Sequence, residues 1–224
     1  MFEQALSILQ SLSIFHKMTS FKAVFLGEGR VGKTSIGLKW AEGSFDPRRR
    51  STVQAGFYTK KVETSRGLIE MHLWDTAGQE EYHAVAPIYY KDAQAAMLVY
   101  DVTNQISFDR MVQWHRELTQ IRGDQVQIVC VANKIDLADK RVIPSSKGTA
   151  FAASIGCPHF EVSAKTGEGI DMLFRHLTES LVKSMPNKPA SNRPRRGGNR
   201  GITVLQAEEV EEKPTNENGG NCAC

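Results

Sequence analysis

Apolar positions cluster in short runs from Phe21 onward, and stretches with helical spacing separate most of them. Phe21–Leu26, Ala96–Tyr100, Val126–Ala132 and Phe160–Ser163 read as strands, several of them apolar almost throughout. Strands of that kind are buried on both faces, as in a parallel sheet covered by helices. Phe57–Glu63 and Leu68–Trp74 flank Thr64-Ser65-Arg66-Gly67, whose turn chemistry predicts a hairpin and hence one antiparallel strand. Helices are expected over Lys33–Ala41, Ile106–Ile121, Pro144–Ile155 and Ile170–Val182. The sum is an α/β fold: a six-stranded, mostly parallel sheet with helices on both faces.

Outside this alternation the pattern weakens. Residues 1–20 carry apolar positions at Phe2, Leu6, Leu9 and Leu12, a weakly helical spacing, without the basic leader and cleavage site of a secretory signal. Met18 stands just before the first strand, so the segment reads as a dispensable extension or, alternatively, as a membrane- or partner-binding helix. After Met185, Pro, Asn, Gly and Arg dominate, followed by Glu208, Glu209, Glu211 and Glu212. Little there could join a core, and residues 185–224 are expected to form a disordered tail. Residues 21–184 are left as one domain.

Composition changes this picture little. Among 224 residues, 28 basic and 25 acidic side chains nearly balance, which argues against nucleic acid as a partner. Four cysteines in a chain of this length do not make a disulfide framework, and a reducing compartment is the expectation. No apolar run reaches the roughly 18 residues of a membrane span.

Gly27-Glu28-Gly29-Arg30-Val31-Gly32-Lys33-Thr34 fits the phosphate-binding pattern G-x-x-x-x-G-K-[ST], and it follows a strand and opens a helix as that pattern requires. Its glycines let the loop, through Ser35, wrap phosphates with inward N–H groups, and the helix N-terminus favours an anion. Lys33 would neutralise phosphate oxygens and Thr34 would ligate Mg²⁺. Arg30 sits at a variable, exposed position in this loop, with no catalytic role. Asp75 ends its strand within reach of the same metal. It opens Asp75-Thr76-Ala77-Gly78-Gln79, in which Gly78 can offer an unobstructed N–H to a terminal phosphate. Asn133-Lys134-Ile135-Asp136 follows the strand Val126–Ala132. A carboxylate at Asp136 can accept from guanine N1–H and N2–H₂ together, a donor pair adenine lacks. Asn133 would hold the loop and the Lys134 stem would cover the ring. Discrimination of this kind reaches roughly 10⁴–10⁵.

Asp75-Thr76-Ala77-Gly78-Gln79 after a strand resembles the small GTPases, and Trp74 before it resembles their Rab branch. The resemblance spans nearly Phe21–Lys183 and includes Tyr89-Tyr90-Lys91-Asp92-Ala93 and Leu98-Val99-Tyr100-Asp101-Val102-Thr103. Tyr82 to Tyr90 is similar to the early-endosomal Rab subgroup. The resemblance implies that Gln79 orients the attacking water and that a side chain at Gly29 would crowd the transition state. It further implies that Ser163-Ala164-Lys165 forms a second guanine loop and that Phe45 packs across the guanine edge. Thr52 would meet Mg²⁺ only while the γ-phosphate is present, and Phe57, Trp74 and Tyr89 would report that state to partners. The terminal Cys222-Ala223-Cys224 resembles the ending on which both cysteines receive geranylgeranyl chains; two chains anchor stably where one is marginal.

The expected protein is therefore a monomeric GTP/GDP switch with Mg²⁺, acting in vesicle or endosomal traffic. Its partners would be an exchange factor, a GTPase-activating protein, a GDP-dissociation inhibitor and effectors. It would sit on the cytoplasmic face of membranes, at early endosomes, and in the cytosol when GDP-bound and extracted. No arginine within the chain reads as a catalytic finger, since Arg48, Arg49 and Arg50 read as a solvated run. Departures from the family lie at Glu81, Asp92 and Gln54-Ala55-Gly56. The alternatives are a Ras- or Rho-like signalling branch, a phosphate-loop kinase or ATPase, and a module that binds GTP without turnover.

Overall fold

The computed structural model describes residues 18–49, 52, 56–75 and 91–186. Within them the chain runs β1 (Thr19–Leu26), α1 (Lys33–Glu42), β2 (Gly56–Thr64), β3 (Gly67–Asp75), β4 (Ala95–Asp101), α2 (Gln105–Arg122), β5 (Gln127–Asn133), α3 (Ser145–Ser154), β6 (His159–Val162) and α4 (Ile170–Ser184). Each element expected from the apolar pattern is present, with ends shifted by one or two residues where caps and ladder bonds decide. Asn104, for example, caps α2 by accepting from the Ser107 N–H, which moves the helix start to Gln105.

The six strands form one sheet in the order β2-β3-β1-β4-β5-β6. Only β2 and β3 pair antiparallel; β1 runs parallel to both β3 and β4, and β4, β5 and β6 continue parallel. Alternation survives inside the apolar strands. Phe21, Ala23 and Phe25 face a core completed by Ile36 and Trp40 of α1 and by Leu173, Phe174, Leu177 and Leu181 of α4. Val24 and Leu26 point the other way, onto Phe108, Met111, Trp114 and Leu118 of α2. Trp40 stacks on Phe174 with centroids 4.1 Å apart, fixing α1 against α4.

This topology positions the site. The chain leaves β1 on one side of the sheet and returns on the other, and in open α/β sheets ligands bind outside the carboxyl ends of strands at such a reversal. The loops that leave β1, β3, β4, β5 and β6 all open at that rim. They carry Gly27–Gly32, Asp75, Asp101, Asn133–Asp136 and Ser163–Lys165 respectively.

Candidate functional site

The phosphate loop is shaped by two glycines that no other residue could replace without movement. Gly27 has φ 145 and Gly32 has φ 97. A Cβ on Gly27 would run into the Val99 carbonyl, and one on Gly32 would run into the Asn133 amide. α1 then begins directly at Lys33, so its free N–H groups and dipole meet the loop. Lys33 is buried, and its ammonium donates to the Gly27 carbonyl at 2.7 Å and the Glu28 carbonyl at 3.0 Å. Burial lowers its pKa to about 8, while Asp75 and Glu28 pull the other way. Arg30 is exposed and adopts φ 65, unusual for a residue with a side chain. Gly29 donates its N–H to the Glu28 carboxylate at 2.8 Å, and Arg110 of α2 approaches that carboxylate at 3.6 Å. Val31 is buried and Ser35 half-buried.

At the end of β3 lies an oxygen cluster. The Thr34 hydroxyl donates to Asp75 Oδ2 at 2.5 Å and lies 2.7 Å from the Thr52 hydroxyl. Asp75 is fully buried, and its Oδ1 has no hydrogen-bond partner among the described residues. Burial pushes its carboxyl above the usual range, against the opposing pull of the Thr34 bond and Lys33. A buried carboxylate oxygen without a partner costs free energy that a cation would recover. The donor set suits Mg²⁺, a hard ion with oxygen ligands at 2.0–2.1 Å, for which neighbouring octahedral ligands lie about 2.9 Å apart. Thr34, Thr52 and Asp75 therefore fit this ion.

The other two loops meet through Asn133. Its Nδ2 donates to the Val31 carbonyl at 2.8 Å, and its Oδ1 accepts the Ala164 N–H at 3.1 Å. One buried amide thus ties the phosphate loop to both loops expected to carry the base-reading residues. The Ser163 hydroxyl donates to Asp136 Oδ1 at 2.7 Å, and Lys165 stands 3.9 Å from Asp136 Oδ2.

Lys134, expected to cover a ring, makes two contacts within the protein. It takes φ 70, and its ammonium donates to the Arg30 carbonyl at 2.8 Å and pairs with Asp101 Oδ2 at 2.6 Å. Asp101 was not among the residues expected here. It stands opposite Asn133 in the β4–β5 pairing and also accepts from the Thr103 N–H and hydroxyl. The signal available was a carboxylate closing an apolar strand, as Asp75 does. Phe45 is half-buried and packs against the core cluster on the Phe25 face of the sheet. Phe57 is exposed and meets Trp74 edge-on with centroids 5.2 Å apart. Asp92, where the family favours glycine, holds φ 62, a backbone that aspartate tolerates better than most side chains.

Gly78, Gln79, Tyr89, Cys222 and Cys224 lie outside the described residues, as do Arg50, Ser51, Glu81 and residues 1–17.

A family model described as Ras family matches residues 22–183. The chain is 37% identical over 207 residues to Ras-related protein Rab-21 of Mus musculus, covering 91% of each. It is 41% identical to Ras-related protein Rab-21 of Geodia cydonium over 165 residues, 74% of this chain and 72% of that one. The protein of the same name from Dictyostelium discoideum is 42% identical over 163 residues, 73% of this chain and 77% of that one.

Proposed function

The chain belongs to the Ras family, in its Rab-type branch of GTP-hydrolysing switches, and from that premise we propose a switch cycle carried by the residues named above. Backbone N–H groups of Gly27–Thr34 and the Lys33 ammonium hold the β- and γ-phosphates. Thr34, Thr52 and Asp75 hold Mg²⁺, which when bound would neutralise charge between the phosphates. Asp136 reads guanine, Ala164 presents its N–H to the base oxygen, Asn133 fixes the loops, and Phe45 and Lys134 flank the ring. The observation that carries this reading is the Asn133 amide, which binds Val31 and Ala164 at once. Phosphate-binding and base-reading loops thereby form one site.

Gln79 orients the attacking water and Gly78 senses the γ-phosphate. With no arginine finger assigned, intrinsic turnover is slow, on the order of 10⁻⁴–10⁻² s⁻¹, and a partner accelerates it roughly 10³–10⁵-fold. Loss of the γ-phosphate releases Thr52 and Gly78, and the surface around Phe57 and Trp74 changes. We read residues 21–184 as the switch domain and 185–224 as a tail. That tail is lipidated at Cys222 and Cys224 and carries the domain to endosomal membranes, where it directs traffic with its regulators and effectors.

Nucleotide competition and single-turnover hydrolysis test the core of this proposal. Bound GDP should resist a large excess of ATP, and Gln79→Leu should slow hydrolysis without weakening GTP binding. Displacement by ATP would remove the base-reading assignment; equal rates in the two proteins would remove the catalytic one.

A further inference from the structure

No step above uses Cys130 or Cys157. Their sulfurs are 3.4 Å apart. Cys130 is fully buried in β5, whereas Cys157, in the loop between α3 and β6, is half-buried. The Cys130 N–H donates to the Pro158 carbonyl at 2.9 Å, which pins the loop carrying Cys157 against the strand carrying Cys130. Gly156, just before it, takes φ 68 and turns the chain back toward the sheet. Cys157 is thus the more accessible thiol of the pair, and Cys130 is the enclosed one.

We propose that Cys130 and Cys157 form an oxidisable dithiol site, converted to an intramolecular disulfide by hydrogen peroxide. Cys157, as thiolate, attacks a peroxide oxygen: the S–O bond forms, the O–O bond breaks, and the second oxygen leaves as water after taking a proton. The Cys130 sulfur then attacks the Cys157 sulfenic acid. The S–S bond forms, the S–O bond breaks, and the Cys130 proton leaves with the hydroxyl as water. Two thiols lose two electrons, and the peroxide becomes two waters. The hydrogen bond with Cys130 holds the Cys157 thiol below its ordinary pKa, and that same bond, with burial, pushes Cys130 up. This division suits an attacking and a resolving thiol.

The test uses the full-length chain carrying Cys222→Ser and Cys224→Ser, treated with dilute hydrogen peroxide. Non-reducing digestion and mass spectrometry should find one peptide pair joined through Cys130 and Cys157, released by dithiothreitol. The oxidised protein should melt several degrees higher, because the bond closes a long loop in the unfolded chain. Cys130→Ala should leave Cys157 trapped as a sulfenic acid that dimedone labels. Cys157→Ser, a change at the more open position, should leave Cys130 unmodified. The proposal fails if wild-type Cys157 proceeds to sulfinic acid while Cys130 still alkylates, or if both thiols survive peroxide.

Discussion

The Thr34 hydroxyl donates to one oxygen of Asp75 at 2.5 Å, while the other oxygen of the same buried carboxylate has no partner among the described residues. Thr34 lies in the first turn of α1 and Asp75 closes β3, so the two arrive from separate layers of the fold. The Thr52 hydroxyl completes the group from the loop before β2. This half-satisfied carboxylate is the point at which nucleotide, metal and a switch loop can be coupled.

Asp75→Ala should therefore weaken the Mg²⁺-dependent part of nucleotide binding. Loss of a group that orients the metal's ligands costs roughly 10–100-fold in metal affinity, and loss of a ligand at least as much. Titrating Mg²⁺ while following release of a fluorescent GDP would show it. Release in excess EDTA should differ little between wild type and variant, since the metal contributes to neither. A variant with unchanged Mg²⁺ dependence would leave the orphan oxygen without a role.

A second expectation concerns protons. Lys33 has its pKa lowered by burial from 10.5 to about 8. Without nucleotide it loses its proton as pH rises through that value, whereas bound phosphates keep it charged. GDP binding should then take up a proton above about pH 8, and affinity should fall toward tenfold per pH unit there. Between the folded value and 10.5 the unfolded chain binds more protons than the nucleotide-free fold. Over that window this group's contribution to stability becomes more favourable as pH rises. Calorimetry in buffers of different ionisation heat checks the uptake: binding heats should diverge at about pH 8.5 and converge at about pH 6.5.

The strands were legible because burial on both faces leaves long apolar runs, and β1 is buried from Ala23 to Leu26. The phosphate loop was legible because its chemistry is contiguous from Gly27 to Thr34. Asp101 was not, because its use depends on β4 lying beside β5, a pairing between residues far apart in sequence. The bonds of Lys134 to Arg30 and Asp101 were not legible either, since those partners come from two other loops. Phe45 shows the limit from the other side. The aromatic that could flank a base also packs on the core, and position in the chain does not separate the two uses.

Asp101 accordingly supports a prediction of its own. Asp101→Asn keeps an acceptor for Thr103 but removes the charge that holds Lys134. Losing a charged hydrogen bond of this kind costs about 1.5–3 kcal/mol. Lys134 should still reach the Arg30 carbonyl, so the fold survives, but the loop over the base is held less firmly. GDP should dissociate about 10- to 100-fold faster, by the usual conversion of about 1.4 kcal/mol per tenfold. Stopped-flow release measures this, and an unchanged rate would confine Asp101 to capping the Thr103 turn.

Asn133 and Asp136 sit three residues apart and should fail in different ways. Asn133→Ala strands the Val31 carbonyl and the Ala164 N–H, both bonded to the buried amide. Each unsatisfied buried group costs about 1–3 kcal/mol, so the nucleotide-free protein should lose about 2–6 kcal/mol by chemical denaturation. Asp136→Asn leaves an oxygen for the Ser163 hydroxyl and should change stability little. It replaces an acceptor with an N–H where guanine presents donors, and two charged hydrogen bonds are worth about 3 kcal/mol at the least. GDP affinity should therefore drop at least about 100-fold, by the same conversion. Xanthosine diphosphate, whose C2 carbonyl accepts where guanine donates, should gain over GDP. If both variants lost stability equally and neither changed base preference, Asp136 would be a second brace for the loop, and base reading would have to come from elsewhere.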